Sequence, residues 1–162
     1  MDKYIFLDID GVMNSNLFYS ERTQDKRYGE MIQKYPQHIA WSICNIDPRA
    51  VERLNRLTDA TGAKIVVSSS WRFDSNLQEV FTLAGIKEPI LDKTPASKER
   101  IRGYEIQTWL DKRTEPYRYV IFDDDSDMLE AQLPFFIQTD WLKWGLSDED
   151  IEHAIFILNG TT

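Results

Sequence analysis

The sequence contains a single cysteine, Cys44, and two histidines, His38 and His153, among its 162 residues. One cysteine excludes an internal disulfide framework and a cysteine-rich zinc site, and it favours a reducing compartment. The two histidines lie too far apart in the sequence to form a recognisable zinc motif. We therefore assign no metal to these residues, and we interpret Cys44 as a small buried side chain.

The sequence also lacks an apolar run approaching the roughly 20 residues that a membrane-spanning helix needs. Its first residues, MDKYIFLDIDG, carry acids where a secretory signal peptide has small residues and a cleavage site. We therefore expect a cytoplasmic protein with no membrane partner. Loops of the GxxxxGK[ST] and GxGxxG types are missing, so nothing in the sequence supports ATP or dinucleotide binding.

Positive charge is in deficit, because 19 lysines and arginines stand against 27 aspartates and glutamates, a net charge of −8. This balance disfavours the binding of long nucleic acids through a broad basic face. Hydrophobic residues at 42% and charged residues at 28% are ordinary values for a globular protein. The length suits one domain over residues 1–162, which is compatible with a monomer but does not determine the oligomeric state.

Short apolar runs of strand type alternate with helical patterns along the chain. Asp47-Pro48 and Ser147 mark helix starts, and Gly62 and Gly85 mark helix ends. The apolar runs do not alternate with polar residues, which is typical of strands covered on both faces of a parallel sheet. The pattern therefore predicts an α/β fold of three layers with a mainly parallel sheet. The predicted strands cover residues 4–7, 65–67, 119–122 and 135–137, with 90–91 as a weak edge strand.

Residues 14–45 interrupt this alternation with mixed polar and aromatic residues directly after the first strand. A connection of this length in a compact domain is usually a lid or a binding loop, and its aromatic content argues against disorder. We expect a short lid, in which Trp41 is a candidate for stacking on a base or sugar. The other tryptophans, 71, 109, 141 and 144, are interpreted mainly as core residues. The lid's basic residues are Arg22, Lys26, Arg27 and Lys34.

Two acidic clusters follow two of the predicted strands directly. DIDG comes after YIFL, and DDDSD comes after YVIF. The carboxyl ends of parallel strands share one edge of a sheet, so the two clusters converge if their strands are neighbours. Uncompensated carboxylates at such close range repel one another, and an oxygen-seeking cation such as Mg²⁺ removes the conflict. The acids concerned are Asp8, Asp10, Asp123, Asp124, Asp125 and Asp127.

Asp8 and Asp10 alternate along an extended chain, so both can face one site, and Gly11 permits a turn directly after them. Two carboxylates at this spacing can divide their tasks between a nucleophile at the ion and an acid/base further out. Either cluster alone also fits turn-forming or helix-capping aspartates. Their joint occurrence after two apolar strands favours a catalytic centre.

These segments resemble the haloacid dehalogenase (HAD) superfamily. FLDIDGVMN resembles its first motif, VVSSSWR its second, and YVIFDDDSD its fourth. The tail QTDWLKWGLSDEDIEHAIFIL is similar to that of small HAD proteins grouped with RNA-repair phosphatases. The resemblance implies a Rossmann-like three-layer HAD fold with a short cap after the first strand. It also implies a Mg²⁺-dependent phosphohydrolase.

The resemblance implies a role for each matching acid. Asp8 would attack phosphorus and form an aspartyl-phosphate, and Asp10 would protonate the leaving oxygen and then activate water. Mg²⁺ would be held by Asp8, the backbone carbonyl of Asp10, and Asp123 or Asp124. Asp127 would be a further ligand or an acid next to the ligands.

The phosphoryl-binding hydroxyl and the cation of the site are less sharply defined. Alignment on the tryptophan of VVSSSWR favours Ser69, whereas counting from the end of the apolar run favours Ser68; we predict Ser69 as catalytic, with Ser68 and Ser70 near the substrate. Arg72 is either a substrate contact or a surface arginine. The third motif requires a lysine or arginine before a helix, for which Arg102 fits best, ahead of Lys98, a substrate-binding candidate, and Lys93.

The leading hypothesis is a phosphohydrolase acting on a phosphorylated substrate, either a nucleotide or a nucleic-acid end. The predicted lid leaves an open site, which favours large substrates, and the resemblance to RNA-repair phosphatases implies a terminal phosphate, with a 3′-phosphate as the first choice. A non-enzymatic phosphate-binding or signalling module on the same scaffold is the competing hypothesis. The presence of Asp10 argues against it, since an inactive scaffold has no use for a second acid there. Transfer to an acceptor other than water would use the same intermediate.

Overall fold

The computed structural model describes residues 1–21 and 23–160, and it places five strands in one sheet. Arg22, which we assigned to the lid, lies outside the described residues. The strands pair only in parallel, in the order β3-β2-β1-β4-β5, which confirms the predicted α/β class and the edge position of the weak strand. The strands are β1 (Asp2–Leu7), β2 (Lys64–Val67), β3 (Ile90–Lys93), β4 (Tyr117–Asp123) and β5 (Phe136–Gln138).

Helices cover both faces of the sheet and complete the three layers. One face packs against α6, whose Ile106 and Trp109 join Phe6 in a buried cluster. The other face packs against α3, α4, α5 and α7 in a larger core. The helices are α1 (Asn16–Ser20), α2 (Thr23–Met31), α3 (Gln37–Cys44), α4 (Pro48–Thr61), α5 (Leu77–Ala84), α6 (Arg102–Leu110) and α7 (Asp148–Asn159), with short 3-10 helices at Ser70–Phe73 and Glu130–Phe135.

The helix after the insertion begins and ends where the sequence predicts. The side chain of Asp47 accepts a hydrogen bond from the backbone N–H of Arg49, and Pro48 occupies the first turn of α4. Gly62 ends the helix in the left-handed conformation, with a φ of 68°. These signals fix α4 because the cap satisfies a free N–H and only glycine adopts this φ without strain.

The strand order creates a crevice at the carboxyl end of β1. From β1 the chain builds outward through β2 and β3 and then returns to the other side of β1 with β4. Open α/β sheets bind ligands at such a reversal point. Among the described residues, no helix has the length and apolar character needed to cross a membrane.

The segment 14–45 folds into three helices rather than an irregular loop. The inner side of α3 is buried through Ile39, Ile43 and Cys44, which confirms the interpretation of Cys44 as a buried side chain. Two of the four tryptophans interpreted as core residues are instead on the surface: Trp141 is 37% exposed and Trp144 is 39% exposed. Trp144 lies under the guanidinium of Arg49, 4.3 Å from the ring centroid, which accounts for its position outside the core.

Candidate active site

Asp8 and Asp123 are brought together by the pairing of β1 with β4. Leu7 and Phe122 are register partners, and the N–H of Asp8 donates to the carbonyl of Phe122 at 3.0 Å. The two carboxylates consequently emerge side by side where the strands end. Both are buried, with exposures of 6% for Asp8 and 2% for Asp123. The two acidic clusters do converge at neighbouring strands, as the sequence predicts.

A third acid completes a group that can hold a metal ion. Carboxylate oxygens of Asp8, Asp123 and Asp124 all lie within 4.8 Å of one another. Hard cations such as Mg²⁺ take oxygen ligands of this kind, so the donor set fits the ion that the sequence predicts.

The raised pKa values of these three acids also indicate a cation site. Burial raises the pKa of Asp8 to about 6, against the opposing effect of Arg102. Burial and the nearby Asp8 charge raise the pKa of Asp123 to about 7. Burial also raises the pKa of Asp124. Carboxylates crowded in this way favour either protons or a bound cation, because a cation neutralises their mutual repulsion.

Arg102 supplies the positive charge next to these carboxylates. Its Nε donates to Asp123 at 3.1 Å, and a terminal nitrogen lies 3.8 Å from an oxygen of Asp8. The alternatives are placed elsewhere. The ammonium of Lys93 donates to the carbonyls of Arg72 and Asp74, and Lys98 is exposed. Of the three candidates, the structure therefore brings only Arg102 to the acids.

Asp127, for which the resemblance implies either a further metal ligand or an acid next to the ligands, lies against the start of α6. Its Oδ2 accepts a hydrogen bond of 2.8 Å from the N–H of Arg102, and its carbonyl accepts from the N–H of Gly103. It therefore anchors the start of α6 and lies outside the group formed by Asp8, Asp123 and Asp124. The physical reason is local, because the first N–H groups of a helix need acceptors and a nearby carboxylate supplies one.

The side chain of Asp10 is exposed and held by two donors. Its Oδ1 accepts from Asn14 Nδ2 and its Oδ2 from Trp71 Nε1, each at 3.0 Å. Asn14 is fully buried, and the same amide nitrogen donates to the carbonyl of Asn45 at 2.9 Å. A single side chain thus joins the two ends of the insertion beside Asp10. We did not predict a role for Asn14, although its place four residues after Asp10 in a tight turn is a usable signal.

Gly11 meets two requirements at once. Its φ of 81° lies in the left-handed region, and a Cβ there would come within 2.4 Å of the Asp124 carboxyl carbon. The turn that the sequence predicts is confirmed. The close approach of the Asp124 carboxyl group to position 11 is a second reason for glycine there. The hydroxyl of Thr139 donates to the carbonyl of Gly11 at 2.7 Å, so the turn is fixed from the far side as well.

The three serines after β2 lie in different environments. The Ser69 hydroxyl lies beside Asp8, where it opposes the rise in the pKa of that carboxyl, and it accepts a hydrogen bond from the N–H of Trp71 at 3.2 Å. The Ser68 hydroxyl is buried without a partner among the described residues. Ser70 is exposed at the mouth of the cleft described below. Ser69 is thus the serine in contact with the nucleophile candidate, and Ser68 is a free buried donor next to it.

Arg72 is 7% exposed, which rules out the alternative of a surface arginine. One terminal nitrogen donates to the carbonyls of Ser68 and Ser69, at 2.8 and 3.0 Å. The other donates to Glu105 on α6 at 2.9 Å. These contacts hold residues 68–70, the serine loop, against α6. Arg72 therefore positions this loop, and it also lines the adjoining cleft.

A cleft of about 630 Å³ opens beside the carboxylates. A larger cavity of about 1000 Å³ runs along α4, lined by Arg53, Arg56 and Lys87, away from the strand-end carboxylates. We place the chemistry in the smaller cleft because its lining includes Asp123, whose pKa is raised, and Arg102 beside it. The smaller cleft is lined by Ser70, Arg72, Phe73, Ala96, Ser97, Arg100, Arg102, Glu105, Asp123, Asp125 and Asp127.

Neither the curated proteins nor the solved structures contain a significant match to this chain. A family model described as the HAD domain in Swiss Army Knife RNA repair proteins matches residues 4–151. The matched segment includes both acidic clusters, the serine loop and Arg102. Membership in this family supports an activity of the phosphohydrolase type. The chain belongs to the family of HAD domains found in Swiss Army Knife RNA repair proteins.

Proposed function

We propose that this protein is a Mg²⁺-dependent phosphohydrolase that works through an aspartyl-phosphate on Asp8. The observation that carries the proposal is the convergence of Asp8, Asp123 and Asp124 within 4.8 Å, with Arg102 beside them. Phosphoryl transfer depends mainly on positioning and charge stabilisation, and this group supplies both.

The first half-reaction uses Asp8 and Asp10. A carboxylate oxygen of Asp8 attacks phosphorus, a new O–P bond forms, and the bond to the leaving oxygen breaks. Asp10 gives its proton to that leaving oxygen. Its exposed position and its two hydrogen-bond donors suit this role, because the carboxyl is held in one orientation yet reaches the substrate.

The second half-reaction restores the enzyme. Asp10, now a carboxylate, takes a proton from a water molecule that attacks phosphorus, and the bond between Asp8 and phosphorus breaks. Inorganic phosphate leaves, and Asp10 is again protonated. Throughout, Arg102 and the hydroxyl of Ser69 stabilise charge on the transferring phosphoryl oxygens.

Mg²⁺ held by Asp8, Asp123 or Asp124 and the carbonyl of Asp10 would neutralise negative charge on the phosphoryl group. In the ion-free protein the raised pKa values of Asp8 and Asp123 oppose nucleophilic attack, because a protonated Asp8 is a poor nucleophile. A bound cation would shift Asp8 further toward the ionised form that attacks phosphorus.

We further propose that residues 14–45 act as a lid and that the substrate carries a terminal nucleic-acid phosphate, with a 3′-phosphate as the first choice. The lid contributes three short helices, so the site stays open to a large leaving group. The net charge of −8 supports a short contact with one chain end over a long duplex contact.

One assay tests the proposal. Purified protein with Mg²⁺ or EDTA is offered p-nitrophenyl phosphate, a nucleotide panel, and 3′- and 5′-phosphorylated oligonucleotides. Phosphate release is expected with Mg²⁺ only, and Asp8→Asn should abolish it. An active Asp8→Asn variant, or a wild type inert toward every substrate, would contradict the mechanism.

A further inference from the structure

Two tryptophans form a stacked pair at the rim of the site, and the proposed reaction uses only the indole N–H of Trp71, which orients Asp10. The ring centroids of Trp41 and Trp71 are 6.3 Å apart, with an angle of 29° between the planes. Trp41 is 56% exposed, an unusual state for so large an apolar side chain beside a charged site. The pair therefore calls for a function other than filling the core.

Both rings are held in place by the surrounding structure. The indole N–H of Trp71 donates to Asp10 at 3.0 Å, and its backbone N–H donates to Ser69. Trp41 lies on α3, whose buried side contains Ile39 and Ile43. A preorganised aromatic surface binds a planar group at little cost in conformational freedom.

We propose that Trp41 and Trp71 form a stacking site for the nucleobase on the leaving side of the scissile phosphate. This inference rests on the proposed role of Asp10 as the acid that protonates the leaving oxygen. Because Trp71 is hydrogen-bonded to Asp10, the two tryptophans lie on the leaving-group side of the reaction. Trp41 is one ring further from Asp10, a separation that suits a base joined to the leaving oxygen through a ribose.

Two arginines that could contact a phosphate backbone, one in the insertion and one in the first turn of α4, are engaged within the protein. The guanidinium of Arg27 is engaged by the carbonyls of Ile43 and Ile46. Arg49 is paired with Asp47 and Glu21. Stacking needs no positive charge and accepts every base, since each has a π-face. An acidic protein can therefore hold a single-stranded end through its last base.

The test compares substrates with and without a base. kcat/KM is measured for a nucleoside 3′-monophosphate and for glycerol 2-phosphate, in the wild type, Trp41→Leu and Trp41→Phe. We expect the preference for the nucleotide to fall about tenfold in Trp41→Leu, the scale of one lost base–aromatic stack. Trp41→Phe should keep most of the preference, because a stacking ring remains. Phe156→Leu is a matched control, since Phe156 is 58% exposed on α7, and it should not change the preference.

The inference is overturned if Trp41→Leu lowers kcat/KM equally for both substrates, or if the wild type has no preference for the nucleotide. A greater preference for phosphotyrosine, lost in the same variant, would also overturn it in favour of a peptide substrate. If the wild type hydrolyses nothing, the proposed function fails separately. Calorimetric binding of the nucleotide to wild type and Trp41→Leu then decides the stacking site, with equal affinities overturning it.

Discussion

The strand-end carboxylates and the helical insertion meet at Asp10, but they are positioned by different forces. Asp8 and Asp123 follow strands whose register is set by backbone hydrogen bonds. The insertion is placed by side chains, through the buried face of α3 and the amide of Asn14, which bonds to both Asp10 and Asn45. The proposed nucleophile Asp8 and its neighbour Asp123 are thus fixed by the rigid sheet, while Trp41, which we propose to select the substrate, is fixed by a packed helix.

This division has a physical advantage for catalysis. Reacting atoms must be held within a fraction of an ångström, and a sheet of parallel strands does so through repeated backbone bonds. A substrate-binding surface tolerates more variation, because stacking and apolar contacts are less directional. Changes at the strand ends should therefore affect the chemical step, and changes in the insertion should affect stability or substrate preference.

Among changes at the strand-end site, we expect the largest loss of activity from Arg102→Met. This change removes the cation that lies 3.1 Å from Asp123 and 3.8 Å from Asp8. We expect kcat/KM to fall by roughly 10²- to 10³-fold, the cost of losing one donor to a charged transition state. Steady-state assays with p-nitrophenyl phosphate measure it, and Arg102→Lys should recover part of the loss.

The matched control for this prediction is Arg56→Met, which removes an arginine paired with Asp148 on the surface of α4 and α7. Its activity should equal that of the wild type. A change of less than threefold in Arg102→Met, with the protein still folded by circular dichroism, would show that another cation serves the phosphoryl group.

The pH dependence of stability should separate the two regions next. The pKa of Asp8 is raised to about 6 and that of Asp123 to about 7, from an ordinary value of 3.8. Well below pH 3.8 both acids are protonated whether the chain is folded or not. As pH rises through 4 toward 7 the unfolded chain releases these protons first, so the ion-free protein loses stability. Between pH 5 and pH 8 the loss should be on the order of 4 kcal/mol.

Urea denaturation in EDTA at pH 5 and pH 8 measures this loss, and Asp8→Asn should reduce it. Mg²⁺ at pH 8 should restore stability, because the ion binds the folded protein and not the unfolded chain. If Mg²⁺ leaves the free energy of unfolding unchanged, the three carboxylates are not a Mg²⁺ site.

The smallest expected effect concerns a basic residue of the insertion. Arg27 donates to the carbonyls of Ile43 and Ile46, so Arg27→Met should lower the free energy of unfolding by about 1–3 kcal/mol. Lys26 is exposed, and Lys26→Met should change stability by less than about 0.5 kcal/mol. Urea denaturation of both variants makes the comparison.

The same variants test whether Lys26 and Arg27 contact the substrate. If Arg27→Met retains full stability yet loses activity toward oligonucleotides selectively, Arg27 contacts the substrate and the structural role is wrong. Parallel losses of stability and of activity on every substrate would support the structural role.

The strand-end groups could be predicted from sequence because each follows a continuous apolar run. YIFL and YVIF identify two buried strands. Because paired parallel strands end at the same edge of the sheet, the residues that follow them lie close together. The helix limits at Pro48 and Gly62 could be predicted for a similar reason, since caps act over a few residues. Local signals therefore determine the sheet, its helices and the pair Asp8 and Asp123.

The rest depends on contacts between distant segments. Trp71 resembles a core residue in sequence, yet its indole N–H reaches Asp10, 61 positions away. Asp127 belongs to an acidic cluster that predicts metal binding, but its carboxylate accepts a hydrogen bond from the N–H of Arg102 at the start of α6. Arg72 and Arg27 look like free cations, and both are engaged by backbone carbonyls. Such pairings follow from tertiary packing, which a single sequence does not encode locally.

The central claim, that Asp8 is the group that accepts the phosphoryl moiety, is tested most directly by trapping the intermediate. Asp10→Asn is mixed with p-nitrophenyl phosphate and Mg²⁺, quenched in acid and digested for mass spectrometry. A good leaving group needs no proton from residue 10, whereas hydrolysis of the intermediate needs its base, so the aspartyl-phosphate should accumulate. The account predicts phosphate on the peptide that contains Asp8; phosphate on a different residue, or on none while p-nitrophenol is released, would contradict it.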